Sequence, residues 1–120
     1  MTDFKKLSEL SFEIIAAVGT ARSSYIEAIQ EAKVGNFEEA HALVDAGAEE
    51  YLKGHHAHAG LIQSEAAGTQ TEMCLLLTHA EDQLMSAEAV GILADEFIEL
   101  YERLTKVEAA CKGTEKERTA

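Results

Sequence analysis

The residue types best suited to chemistry stand together in one run, Leu75 to Val90 (LLLTHAEDQLMSAEAV), where His79 is followed by Glu81, Asp82 and Gln83. A neutral imidazole is a competent nucleophile towards phosphorus near neutral pH. It needs an acceptor for its second nitrogen and a donor docked in line. On a helix, positions three apart are neighbours, so His79 and Asp82 share one side. The acids act in two directions: they orient a ring, and they repel an incoming phosphoryl group. A bound cation would relieve that repulsion, above all where symmetry gathers several copies of Asp82 at an axis.

The remaining histidines carry weaker signals. Glu38-x-x-His41 has the spacing of half a di-iron carboxylate site. Such a bundle needs a second pair of that kind and two further glutamates, and no other glutamate here stands three residues before a histidine. His55, His56 and His58 could hold a metal adventitiously, since His55 and His58 share a face, but polar residues on a partly solvated helix explain them as well. The sequence contains no Gly-rich phosphate loop, zinc HExxH or nucleophilic Ser/Cys arrangement.

His79 lies on a stretch with two apolar stripes where a surface helix has one. The first runs Met73, Leu77, Ala80, Leu84, Ala87, Gly91, Ala94, Ile98, Tyr101, in the alternating four-three steps of a packed seam. The second runs Leu76, His79, Gln83, Ser86, Val90, Leu93, Phe97, Leu100, Leu104, apolar at both ends and polar for two turns between them. A polar window in a buried stripe is costly packing unless something is gained. The second stripe would stay wet in a single subunit, and an exposed apolar strip of that length marks an interface.

Three helices must position this window. Helix one is expected over about 2–33, on Leu7, Ser11, Ile14, Val18, Ala21, Tyr25, Ala28 and Ala32, with Gly19 marking a close backbone approach. Gly35 ends it, and Asn36 with Glu39 forms a capping box for helix two, about 37–66. Helix two is expected to pack through Phe37, Ala40, Val44, Ala48, Tyr51, Ile62 and Ala66. Gly68 stops it, and Thr69 with Glu72 repeats the capping signal for helix three, about 70–110. The tail 112–120 is expected to fray. Short connections make the helices antiparallel neighbours, so the expectation is an all-α, up-down-up three-helix bundle in one domain, residues 1–120, assembling as a homo-oligomer with helix three innermost.

A net charge of −12 over 120 residues argues against nucleic acid. No apolar run approaches the roughly 20 residues of a membrane span. Cys74 and Cys111 match no metal spacing, and without a secretory leader a reduced, cytoplasmic setting is expected, with Cys74 in the core.

The run from His79, with LADEFIELYERL after it, resembles the third helix of the lactose/cellobiose-type (also chitobiose-type) enzyme IIA of the bacterial phosphoenolpyruvate-dependent sugar phosphotransferase system, whose pattern is close to HAQDHLM followed by IIELY. Upstream, FEIIAAVGTARS from Phe12 to Ser23 is similar to that family's FEIVAYAGDARS-type stretch. GNF at Gly35 to Phe37 falls at its first turn, and His55 to Gly68 resembles its HxxQTxLLxxEAxG segment. The resemblance implies a homotrimer in which His79 is phosphorylated by phospho-HPr and passes the group to the cysteine of a IIB partner. It implies further that Asp82 meets its symmetry copies around a divalent metal, Mg2+ being the expected ion, with Glu81, Gln83 and His55 as surrounding residues. Three departures stand out: Glu81 replaces the usual Gln, Gln83 a common second His, and His58 with Ala59 a Gln-Thr pair. Two other classes compete: a histidine phosphotransfer domain of two-component signalling, which would want a lysine and glycine after the histidine, and a non-catalytic helical adaptor.

Overall fold

A computed structural model describes residues 3–119, and Thr2, in the expected first helix, lies outside them. The chain forms three helices, α1 (Phe4–Lys33), α2 (Phe37–Ala66) and α3 (Leu75–Thr119), all in contact with one another. Asp3 starts α1 by accepting a hydrogen bond from the Lys5 amide at 3.0 Å. The four-three rhythm read for α1 is the face it buries: Leu7, Ser11, Ile14, Val18, Ala21, Tyr25, Ala28 and Ala32. Ser11 is tolerated there because its hydroxyl donates to the Leu7 carbonyl at 2.7 Å.

Gly35 takes φ 85°, closing α1 with a bond from the Asn36 amide back to Glu31. Asn36 does not cap α2 through its side chain. Its amide instead donates to the Glu31 carboxylate at 2.7 Å, crossing the turn rather than folding onto the new helix. Gly68, at φ 102°, ends α2.

Two boundaries of α3 differ from expectation. The Thr69–Glu72 pair does not open the helix, which begins at Leu75. Threonine-rich TQTE is a poor helix former, and the buried stripe starts only at Leu77, so nothing repays helix earlier; Met73 is exposed. The tail does not fray in this structure, and α3 continues to Thr119. Extending an existing helix avoids the nucleation penalty. Ala, Glu and Lys dominate that stretch, and Glu108 stands four residues before Lys112.

The seam of α2 also differs. Ala48 and Ile62 are exposed, and the buried positions are Ala40, Val44, Gly47 and Gly54. A Cβ on Gly47 would stand 2.7 Å from the Tyr25 ring, and one on Gly91 of α3 would stand 2.8 Å from its other edge. Tyr25 thus fills a slot that two glycines open. Its hydroxyl is pushed above the usual tyrosine range by burial, then by Asp95. Gly19, expected to mark a close approach, has nothing within 4 Å of where its Cβ would be.

Cross-helix pairs fix the directions. His41 meets Glu102 and His58 meets Glu81, so α2 and α3 run oppositely. Tyr25 against Gly91 and Arg22 against Gln83 keep α1 and α3 in the same direction. The core is a thin line of alanines with Ile14, Val18, Leu77, Leu84 and Ile98. The whole measures 78 × 21 × 20 Å. Among the described residues no helix is long and apolar enough to cross a membrane.

Candidate phosphoryl-transfer site

On α3, Leu77, Ala80, Leu84 and Ala87 point into the bundle. At 3.6 residues per turn, about 100° each, Asp82 therefore sits about half a turn from the core, and His79 lies between it and the α1 side. Both are exposed. Among the described residues no side chain hydrogen-bonds the His79 ring. The apolar pattern that buries one face of α3 is what turns this imidazole outwards.

The neighbours of Asp82 in sequence each reach a different helix. Glu81 accepts or shares a hydrogen bond with His58 Nε2 of α2 at 2.9 Å, and the His58 side chain is only 19% exposed. Gln83 Oε1 accepts from Arg22 Nη1 of α1 at 2.7 Å, and both residues are partly buried. These ties fit the rotation that the buried seam of α3 imposes, which aims Asp82 outwards. Two of the departures from the family pattern, Glu81 and His58, are thus one pair.

Of the expected surrounding residues, Gln83 shares the side of His79, being its i+4 neighbour. Glu81 is about half a turn from His79 and turned to α2. His55 is exposed and stacks on Tyr51 with ring centroids 5.9 Å apart, and His56 lies 6.3 Å beyond it. Burial, and then the nearby Glu88 carboxylate of α3, push the Tyr51 hydroxyl above the usual tyrosine range. His41 is occupied by Glu102 at 2.7 Å. Among the described residues no three His, Cys, Asp or Glu side chains are grouped to hold a metal within one subunit. Of the residues expected at the site, Asp82 carries its carboxylate on the outward face.

Beside His79 opens a cleft of about 490 Å³ lined by Phe4, Cys74, Leu75, Leu76 and His79 itself. Leu75 is 86% exposed and Phe4 66%. Cys74, expected in the core, is half-buried, and Cys111 is exposed; both are free cysteines. Further along the same side Leu93, Phe97, Leu100 and Leu104 are also exposed. The second stripe is thus uncovered from Leu93 onwards, while Leu76, Gln83, Ser86 and Val90 are partly buried.

Arg22 is the site residue that sequence reasoning missed. It is the one basic residue between Lys6 and Lys33 and lies within the FEIIAAVGTARS stretch. Nothing in the spacing says that it reaches α3.

Residues 9–102 match the family described as "PTS system, Lactose/Cellobiose specific IIA subunit". The lichenan-specific phosphotransferase enzyme IIA component of Bacillus subtilis (strain 168) is 46% identical over 106 residues, 88% of this chain and 96% of that protein. The crystal structure of the cellobiose-specific enzyme IIA from Bacillus anthracis superposes with a TM-score of 0.79 at 44% identity, covering 82% of this chain and 90% of that one. The IIA(Chitobiose) of Escherichia coli, solved in complex with HPr, does so with a TM-score of 0.72 at 32% identity, covering 82% and 96%. An exposed histidine beside an apolar cleft, on a helix of this pattern in a bundle of this shape, is accounted for by that kinship: the chain belongs to the lactose/cellobiose-specific IIA family of the phosphotransferase system.

Proposed function

We propose that this chain is a cytoplasmic phosphocarrier that takes a phosphoryl group from phospho-HPr onto His79 and gives it to the cysteine of a IIB partner, for sugar uptake of the lactose, cellobiose or chitobiose type. The observation that carries the proposal is the His79 ring itself, exposed and, among the described residues, without a side-chain partner, at the rim of an apolar cleft. A ring nitrogen of His79 forms a P–N bond as the donor's P–N bond breaks, and the electron pair returns to the donor imidazole. The proton shed by the newly phosphorylated ring balances the one the donor ring takes up. In the second step the IIB cysteine gives up its thiol proton and attacks the same phosphorus; the S–P bond forms as the P–N bond breaks, and the His79 ring takes up a proton and leaves as neutral imidazole. Incubation with phosphoenolpyruvate, enzyme I and HPr should yield an acid-labile, base-stable phosphoryl group. An acid-stable ester would contradict the assignment.

The uncovered stripe Leu93, Phe97, Leu100 and Leu104 supports assembly as a homotrimer with α3 innermost. There the copies of Asp82 would hold one divalent cation, Mg2+ suiting a set of carboxylate oxygens. When bound, the ion neutralises charge that would otherwise repel at the axis. Asp82→Leu replaces that acidic cluster with apolar packing. The variant should stay trimeric in chelator while the wild type dissociates or weakens, measured by sedimentation. A wild-type trimer indifferent to chelator would rule out the shared ion.

A further inference from the structure

We propose that Arg22 is a catalytic residue, its guanidinium binding the phosphoryl group on His79 during transfer. The inference rests on the assignment of His79 as the acceptor. His79 and Gln83 are i and i+4 on one face of α3, with Cβ atoms about 5–6 Å apart. Arg22 reaches across from α1 and places Nη1 2.7 Å from Gln83 Oε1. A guanidinium has five N–H donors, and Gln83 occupies one. No other hydrogen bond of Arg22 is found among the described residues. The guanidinium is thereby held at Gln83, which stands one helical turn from the acceptor ring on the same side of α3.

The charge of the site favours such a group, beside any cation held at Asp82. The chain carries −12, and Asp82 adds a carboxylate next to the reacting face, so an arriving phosphoryl group enters a repulsive field. His58 is engaged by Glu81 on the α2 side of α3. Arg22 is the basic side chain joined to the His79 side. Its planar fork matches phosphoryl oxygens as a lysine does not, and its partial burial strengthens the contact relative to one in open solvent. Gln83 then has a function that its place in the polar window did not reveal: it holds the guanidinium ready between transfers.

Transfer from phospho-HPr to the wild type, Arg22→Lys and Arg22→Met would be timed by rapid quench, with circular dichroism and sedimentation run in parallel. The expected result is a kcat lowered about 100-fold in Arg22→Met, partly recovered in Arg22→Lys, at unchanged helix content and assembly. A wild-type kcat in Arg22→Met would overturn the proposal. Should Arg22→Met fail to fold, the wild type still decides: the side-chain 15N resonances of Arg22 should shift on phosphorylation, and unmoved resonances refute the contact. Phosphorylated wild type with a silent guanidinium removes Arg22 alone, whereas wild type that accepts no phosphoryl group removes the His79 assignment and this inference together.

Discussion

His79→Ala is expected to give a folded protein that accepts no phosphoryl group at all. His79 is exposed and bonds no other side chain among the described residues, and surface substitutions of that kind stay within about 0.5 kcal/mol of wild-type stability. Helix content and melting temperature should therefore be unchanged, which separates loss of the nucleophile from loss of the fold. The other histidines do not substitute for it. His58 is tied to Glu81 and His41 to Glu102, and His55 and His56 stand together on α2, with His55 stacked on Tyr51. Radiolabelled phosphoenolpyruvate with enzyme I and HPr gives the readout. Label retained in His79→Ala would mean that another residue is the acceptor.

Phe97→Asp is expected to break the proposed trimer with little effect on the subunit. Phe97 is 42% exposed, and it lies among Leu93, Leu100 and Leu104, which are exposed to a similar degree. Covering half of each such side chain contributes on the order of 1 kcal/mol. An aspartate there must be desolvated as well, for a combined loss of roughly 3 kcal/mol per subunit. Because the change recurs in every copy, sedimentation should show a monomer at concentrations where the wild type is assembled. Helix content should hold, since the core at that level rests on Ile98, Ala94 and Tyr25. An assembled Phe97→Asp would place the interface elsewhere.

The parts of the fold legible in the sequence were those carried by apolar side chains, alanines included, repeating at helical spacing. The stripe from Leu77 to Ile98 and the α1 series from Leu7 to Ala32 are buried as their spacing required. The seam of α2 was obscured because Gly47 and Gly54 fill core positions where no apolar side chain signals burial; they are small to admit Tyr25 and Val18 from α1. The start of α3 was misplaced because a capping pattern is local, whereas the helix begins where packing begins, near Leu77. Its far end was misplaced because polar residues without periodicity still propagate a helix already formed.

For the site, the outward direction of His79 and Asp82 followed from the helical period. The pairings of Glu81 with His58, and of Gln83 with Arg22, did not. They join residues 23 and 61 positions apart, and that register is set by how three helices settle against one another around Tyr25. This is also why Glu81 is better understood as a brace between α2 and α3 than as a neighbour of the acceptor ring.

The most direct test is the intact mass of the wild-type chain before and after exposure to phospho-HPr, followed by mapping of the modified residue under basic conditions. One added phosphoryl group per chain, on His79, is the predicted result. No mass gain, or a group located on His55, His56 or His58, would contradict the account.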